Sequence, residues 1–191
     1  MNYELNIRKA TVNDAHLIAK VVAMAIGEEG SKHYCGDNHQ SVFEEIARLE
    51  NSQYSYRNAI VAEVNGIPAG AAVAYDGADL YALRDVTLKH IFNRTGMMHN
   101  IEDETDATEV YLDSIAVLPE YRGLGIGKRL LLALKEIAFK EYGKNLGLLV
   151  GFENPDAERL YKSVGFERMN VKDFLGHKMW HLVMSQQTSS M

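Results

Sequence analysis

What most constrains this chain is a run of alternating glycines, Arg122-Gly123-Leu124-Gly125-Ile126-Gly127-Lys128-Arg129, set between an apolar stretch and a helical one. Three kinds of glycine-rich phosphate site have this general look, and two of them fail. A Walker-type P-loop needs a glycine five residues before its Gly-Lys pair and a Ser or Thr after it; Arg122 and Arg129 stand there instead, so the magnesium-binding hydroxyl is missing. A dinucleotide fingerprint needs a third glycine where Lys128 stands. What remains is a glycine turn that opens a helix and lets successive backbone N–H groups converge on a pyrophosphate, with the helix dipole adding favourable potential.

Strand and helix periods place this turn in an alternating α/β pattern. Leu5 to Arg8 alternates like an edge strand, and Thr11 with Asp14 has the form of a capping box before a helix whose Leu17, Ile18, Val21, Val22 and Ala25 share a face up to Gly27. Glu28 to Gln40, with two glycines and two histidines, reads as a loop, and Ser41 with Glu44 as the start of a second helix. Asn58–Val64 and Ile67–Tyr75 are strands joined by Asn65-Gly66, a dipeptide suited to a tight hairpin. A helical pattern from Leu80 to Ile91 and a polar stretch to Thr108 make an insert at about 77–108, long enough to be expected as a substrate lid. Val110–Val117 is a strand; after the glycine turn come a helix with Ile126, Leu130, Leu134, Ile137 and Ala138 inward, a buried strand Leu146–Val150, a helix Asn154–Val164 and strands Phe166–Val171 and Lys178–Met184. A frayed tail is expected from about residue 186.

Composition narrows the function classes. Hydrophobic residues make up 47% and charged residues 24%, and no Pro/Gly/Ser-rich stretch divides the chain, so one domain over 1–191 is expected. The net charge of -6 argues against a nucleic-acid partner, which would call for a basic stripe. No apolar run approaches the roughly 18 residues of a membrane span and the start lacks a signal peptide's basic and apolar regions, so a cytoplasmic protein is expected. Cys35 stands alone and reads as a small packed residue rather than a catalytic thiol; His33, His39, His90 and His99 are too scattered to suggest a metal site, and none is expected.

Two longer motifs carry a resemblance. Val117-Leu118-Pro119-Glu120-Tyr121-Arg122-Gly123-Leu124-Gly125-Ile126-Gly127 resembles the acyl-CoA pyrophosphate loop of the GNAT superfamily of N-acetyltransferases. Asn154-Pro155-Asp156-Ala157-Glu158-Arg159-Leu160-Tyr161-Lys162-Ser163-Val164-Gly165-Phe166 is similar to that family's later helix, and Ile7 to Thr11 with Asp14 to its opening strand and helix. The resemblance covers nearly the whole chain except the insert. It implies a mixed sheet of six to seven strands with helices on both faces, and transfer of an acetyl group from acetyl-CoA to an amine.

That reaction needs a proton taken from the amine, an oxyanion stabilised and a thiolate protonated. By resemblance Tyr161 is the general acid, and a phenol of pKa about 10 is protonated at neutral pH. Backbone groups of Ile115, Ala116 and Val117 would meet the pantetheine amides. Gly123, Leu124, Gly125, Ile126 and Gly127 would cradle the phosphates with Arg122 and Lys128 facing them, and Asn154 and Ala157 would border the pantetheine arm. Glu109, thirteen residues before Arg122 where some family members carry a catalytic glutamate, and Asp113 share a strand face with Tyr111 by period-two alternation; either could take the proton. Asn154 is also placed to cap its own helix, and Lys128 to sit on a solvated face. Glu102, Asp103, Glu104, Asp106 and Glu109 form an acidic cluster that could draw in a cationic amine, and Tyr54, Tyr56, Tyr75 and Tyr81 could line its pocket. A non-catalytic acyl-CoA sensor on the same scaffold is the alternative, and a homodimer is compatible with the pattern.

Overall fold

The computed structural model describes residues 3–186; except for Gln186, the expected tail lies outside the described residues. Seven strands form one mixed sheet: β1 (Leu5–Lys9), β2 (Ala59–Val64), β3 (Ile67–Asp76), β4 (Glu109–Val117), β5 (Asn145–Gly151), β6 (Glu167–Phe174) and β7 (His177–Met184). Their order is β1-β2-β3-β4-β5-β7-β6, with β1 at one edge as its alternation predicts. Among the described residues only β4 and β5 run parallel; the other five pairings are antiparallel.

Six α-helices cover both faces: α1 (Ala15–Ile26), α2 (Glu28–Cys35), α3 (His39–Arg48), α4 (Leu80–Thr95), α5 (Ile126–Ile137) and α6 (Pro155–Ser163). On one face, α5 lays Ile126, Leu130, Leu131 and Leu134 against Ile60, Ala62, Ala72, Val110, Leu112 and Leu148, with α6 beside it through Ala157 and Tyr161. Each such aliphatic side chain stabilises the fold by about 1.5–3 kcal/mol when fully buried. On the other face, α1 packs Ile18 and Val22 with Phe43 and Ile46 of α3 over Ala59 and Val73, while Leu80 of α4 meets Tyr75 and Tyr111. No helix among the described residues is long and apolar enough to cross a membrane.

Three local expectations are corrected. The stretch read as a loop from Glu28 to Gln40 holds α2, a helix bounded by Gly27 at φ 85° and Gly36 at φ 75°. Its internal Gly30 lies so close to α1 that a methyl group there would meet Ile26 Cγ2 at 2.8 Å, so glycine is what lets the two helices pack. The Ser41–Glu44 capping pair does not form: α3 begins at His39 after Asn38, and the Ser41 hydroxyl donates to Glu45 (3.4 Å). The insert, residues 77–108, is tied down rather than hinged. Within it Arg84 donates to the carbonyls of Ile101 (3.1 Å) and Glu102 (3.0 Å), and it is joined to the rest of the fold where His99 Nε2 lies 2.8 Å from the Tyr34 carbonyl and Lys172 donates to the Glu104 carbonyl (3.1 Å). At its base a methyl on Gly77 would collide with the Asp106 carbonyl, so the two ends of the insert touch.

Candidate active site

The site begins where the sheet comes apart. β4 and β5 pair from Glu109↔Asn145 to Leu112↔Leu148 and then diverge: β4 runs on to Val117 held only by β3, and β5 to Gly151 held only by β7. From Asp113 to Val117 one edge of β4 therefore lacks a strand partner. A groove of about 770 Å³ follows this free edge, walled by Ile115 to Val117, by Met24 on α1 and by Glu28, His39 and Gln40 at the starts of α2 and α3.

A β-bulge lies at the point of divergence. Leu112 pairs with Ala74 and Ser114 with Val73, which leaves Asp113 as the extra residue. One extra residue inverts the alternation that follows it. Val110 and Leu112 face α5 before the bulge, and Ile115 and Val117 face α5 after it. Asp113 points to the opposite face, where Ser114 Oγ donates to Oδ1 (2.8 Å) and Tyr75 Oη stands 3.5 Å from Oδ2. Burial pushes the Asp113 carboxyl up to about 7, with the nearby Glu104 carboxylate adding to the effect.

The glycine turn follows β4 in the chain, and Arg122 at its start also lines the groove. Gly123 (φ 82°) and Gly125 (φ 73°) occupy the left-handed region, and a methyl group on either would point into open space. Gly125 is the N-cap of α5 and has no side chain to satisfy the first turn, so the N–H groups of Ile126, Gly127 and Lys128 lack intrahelical acceptors. Free donors, unfilled space and the positive end of a helix suit an anionic phosphate group. Arg122 and Lys128 are exposed beside the turn, with Arg122 Nε donating to the Val117 carbonyl (3.3 Å). Leu124 packs against the α5-side core, and Gly127 is close enough to α6 that a methyl there would touch Leu160 at 3.5 Å.

Opposite the turn, Asn154 caps α6 by accepting from Ala157 N–H (3.2 Å), which leaves its amide NH₂ available. Tyr161, two turns of helix on, is half-buried with Ile115, Val117, Leu124 and Ala157, and its ring meets Phe166 edge to face at 5.8 Å. Burial pushes its phenol up to about 12, so it carries its proton at neutral pH. The fold thus gathers Tyr161, Asn154, Ala157 and the glycine turn on the α5 face of the divergence, and Asp113 on the other.

Glu109 is placed differently. It is buried, accepts from Thr105 Oγ1 (2.8 Å) and lies 3.0 Å from His181 Nε2, crossing β5 over Gly147 to reach it. The rest of the acidic cluster is likewise engaged. Asp103 takes Arg84 and Tyr81, Glu104 takes Arg84, Gln53 and Tyr75, Asp106 takes Thr108, and Glu102 takes the Leu175 N–H. Glu104 and Glu109 are buried, while Glu102, Asp103 and Asp106 stay exposed alongside these partners. Of the four tyrosines expected near an acceptor, Tyr54 and Tyr75 are buried; Tyr56 hydrogen-bonds Glu50 (3.5 Å) and Tyr81 is exposed. The sequence did not disclose Gln53, Arg84 or His181, because each joins the cluster across many residues of chain, nor Thr105, which reaches Glu109 from only four residues away but without a recognisable motif.

Comparison with known proteins agrees with this geometry. A thialysine N-epsilon-acetyltransferase of Sus scrofa is 31% identical over 86 residues, 45% of this chain and 48% of that protein; the Bos taurus enzyme of the same name is 36% identical over 72 residues, 38% and 39%. The chain thus spans about half the length, or less, of the curated relatives it matches. Among solved structures, an acetyltransferase superposes with a TM-score of 0.78 at 33% identity, covering 94% of this chain and 98% of its own. An N-acetyltransferase from Staphylococcus aureus Mu50 gives 0.73 at 26% identity, covering 93% and 99%. The profile of the acetyltransferase (GNAT) family matches residues 23–166, from α1 through the glycine turn to the end of the α6 motif, and the chain belongs to that family.

Proposed function

We propose that this protein is an acetyl-CoA-dependent N-acetyltransferase that acts on a primary amine. The observation that carries the reading is the parting of β4 and β5 beyond Leu112 and Leu148, with a phosphate-fitting turn at one end of the free edge and a protonated, half-buried tyrosine beside it. When bound, acetyl-CoA supplies a thioester-activated acetyl group. The N–H groups of Ile126, Gly127 and Lys128 hold the diphosphate, with Arg122 and Lys128 adding charge. The unpaired backbone of Ile115, Ala116 and Val117 and the amide of Asn154 hold the pantetheine arm, and Ala157 gives it room.

Asp113 and Tyr161 divide the proton chemistry between the two faces of the parted sheet. Asp113 takes the proton of the incoming amine, and a carboxyl near pH 7 matches that task better than an ordinary aspartate. Tyr161 supplies the proton needed by the departing thiolate, whose conjugate acid lies near 8.5. Glu109 anchors His181 and Thr105 instead of serving as the base. The relatives named for thialysine support an amine at the end of a flexible chain as acceptor.

Thiol release from acetyl-CoA across thialysine, polyamines, aminoglycosides, amino acids and basic peptides tests the reading. Amine-dependent release is expected with at least one of them. Saturable acetyl-CoA binding with no release for any amine would favour a non-catalytic acyl-CoA sensor and overturn the transferase.

A further inference from the structure

The insert buries a carboxylate beside the proposed base, and the connection between them runs through a single hydroxyl. Tyr75 Oη lies 2.8 Å from Glu104 Oε1 and 3.5 Å from Asp113 Oδ2. Its lone pairs are partly used, since Gln53 Nε2 donates to Tyr75 Oη (3.0 Å) and also to Glu104 Oε1 (2.9 Å). A phenol has one proton, and here it goes to the nearer carboxylate. Asp113 is left with one short donor, the Ser114 hydroxyl. Glu104 cannot act as a base itself: it is 2% exposed, and Arg84 of α4 pairs with it from within the insert.

We infer that Glu104 is a positioning residue for the transfer, which holds the Tyr75 proton away from Asp113 and faces it with a fixed negative charge, thereby keeping Asp113 basic enough to accept a proton from the amine. This inference rests on the reading of Asp113 as the base. It assigns the insert a role that neither the glycine turn nor the α6 motif requires. Every element packed around Asp113 contributes a group that bears on it. Tyr111 comes from β4 itself, Tyr75 from β3, Tyr34 from α2 with Cys35 beside it, Tyr54 from the segment before β2, and Glu104 with its partner Arg84 from the insert. The tyrosines and Cys35 have their acidities weakened by burial and stay neutral at pH 7, so Glu104 and Arg84 are the fixed charges of the cluster.

The two ends of the connection can be cut separately, with different expected results. Glu104→Gln removes the like charge and should lower the Asp113 midpoint by about one pH unit or more. Tyr75→Phe removes a hydroxyl whose proton is already held by Glu104 and leaves Glu104 charged, so the Asp113 midpoint should stay where it is. The measurement is a carbon-13 NMR titration of carboxyl-labelled aspartate in the full chain, with the Asp113 resonance assigned by its loss in Asp113→Asn, alongside the acid limb of kcat/KM for each protein. A fall in Glu104→Gln with an unmoved midpoint in Tyr75→Phe, mirrored in the acid limb, is the expected result. A midpoint that stays in place in Glu104→Gln, or one that rises in Tyr75→Phe, would overturn the inference. If Glu104→Gln does not fold, Tyr75→Phe decides: an unmoved midpoint supports the inference, and a rise, which would mean that the phenol was donating to Asp113, overturns it. An Asp113→Asn protein with undiminished kcat/KM would instead remove Asp113 as the base, an outcome distinct from an NMR midpoint that ignores Glu104.

Discussion

Replacing Gly147 by alanine should cost far more stability than a single methyl group on a strand normally does. The new Cβ would fall inside the Glu109 carboxylate, which crosses β5 at this point on its way to His181. Neither side can yield cheaply, because Glu109 and His181 are both buried and Glu109 is also held by Thr105 at 2.8 Å. Displacing the carboxylate loses two charge-assisted hydrogen bonds, about 3–6 kcal/mol together, and strands part of a buried charge. Alanine in place of glycine returns about 0.5–1 kcal/mol of strand propensity. The net expectation is a loss of about 2–5.5 kcal/mol, read from urea denaturation at unchanged m-value, or a fall in Tm of roughly 4–22 °C for a chain of this size. The control is the same substitution in a Glu109→Ala background, where the methyl group has nothing to displace and should cost less than about 1 kcal/mol. Equal costs in the two backgrounds would refute the view that Gly147 exists to let Glu109 through.

Four further outcomes follow from the site. Gly125→Glu places a carboxylate in the phosphate seat at a φ of 73° and should weaken acetyl-CoA binding by roughly 100-fold or more, measured calorimetrically; an unchanged Kd would move the phosphate site elsewhere. With Asp113 as base, kcat/KM should rise with pH through about 7 and lose that acid limb in Asp113→Asn; a profile flat from pH 5 to 8 in the parent protein would rule this out. The stability effect has the reverse sign. A carboxyl raised in the folded state favours folding most below the unfolded aspartate value near 4, and that contribution is lost as pH rises toward 7, so Asp113→Asn should stabilise the protein at neutral pH. Tyr161→Phe should bind acetyl-CoA within about twofold of the parent and lose roughly 100-fold in kcat, and equal turnover would leave the tyrosine as a packing residue.

How much could be read in advance depended on whether the cause was local. The hairpin at Asn65-Gly66, the strand before the glycine turn and the helix after it each follow from a few adjacent residues, and they stand where the sequence puts them. Asn65 does adopt a positive φ of 51°. α2 was missed because its glycines, which weaken an isolated helix, are here required at its ends and against α1, and because its stability comes from Tyr34 and Cys35 entering the core. The bulge at Asp113 leaves no mark in the alternation before it, yet it decides that Asp113 and Ile115 face opposite sides of the sheet. The acidic cluster was visible as composition, but its partners are scattered over Gln53, Tyr75, Tyr81, Arg84 and His181, so whether it was a solvated run or a buried network depended on tertiary structure alone.

The transfer itself is tested most directly by product stoichiometry. Incubated with acetyl-CoA and the amine that gives the fastest thiol release, the protein should yield free thiol and N-acetylated amine in equal amounts, followed by thiol titration and mass spectrometry of the amine. Thiol formed without acetylated amine would mean hydrolysis in place of transfer, and would contradict the central claim that Asp113 and Tyr161 serve an amine acceptor across the parted strands.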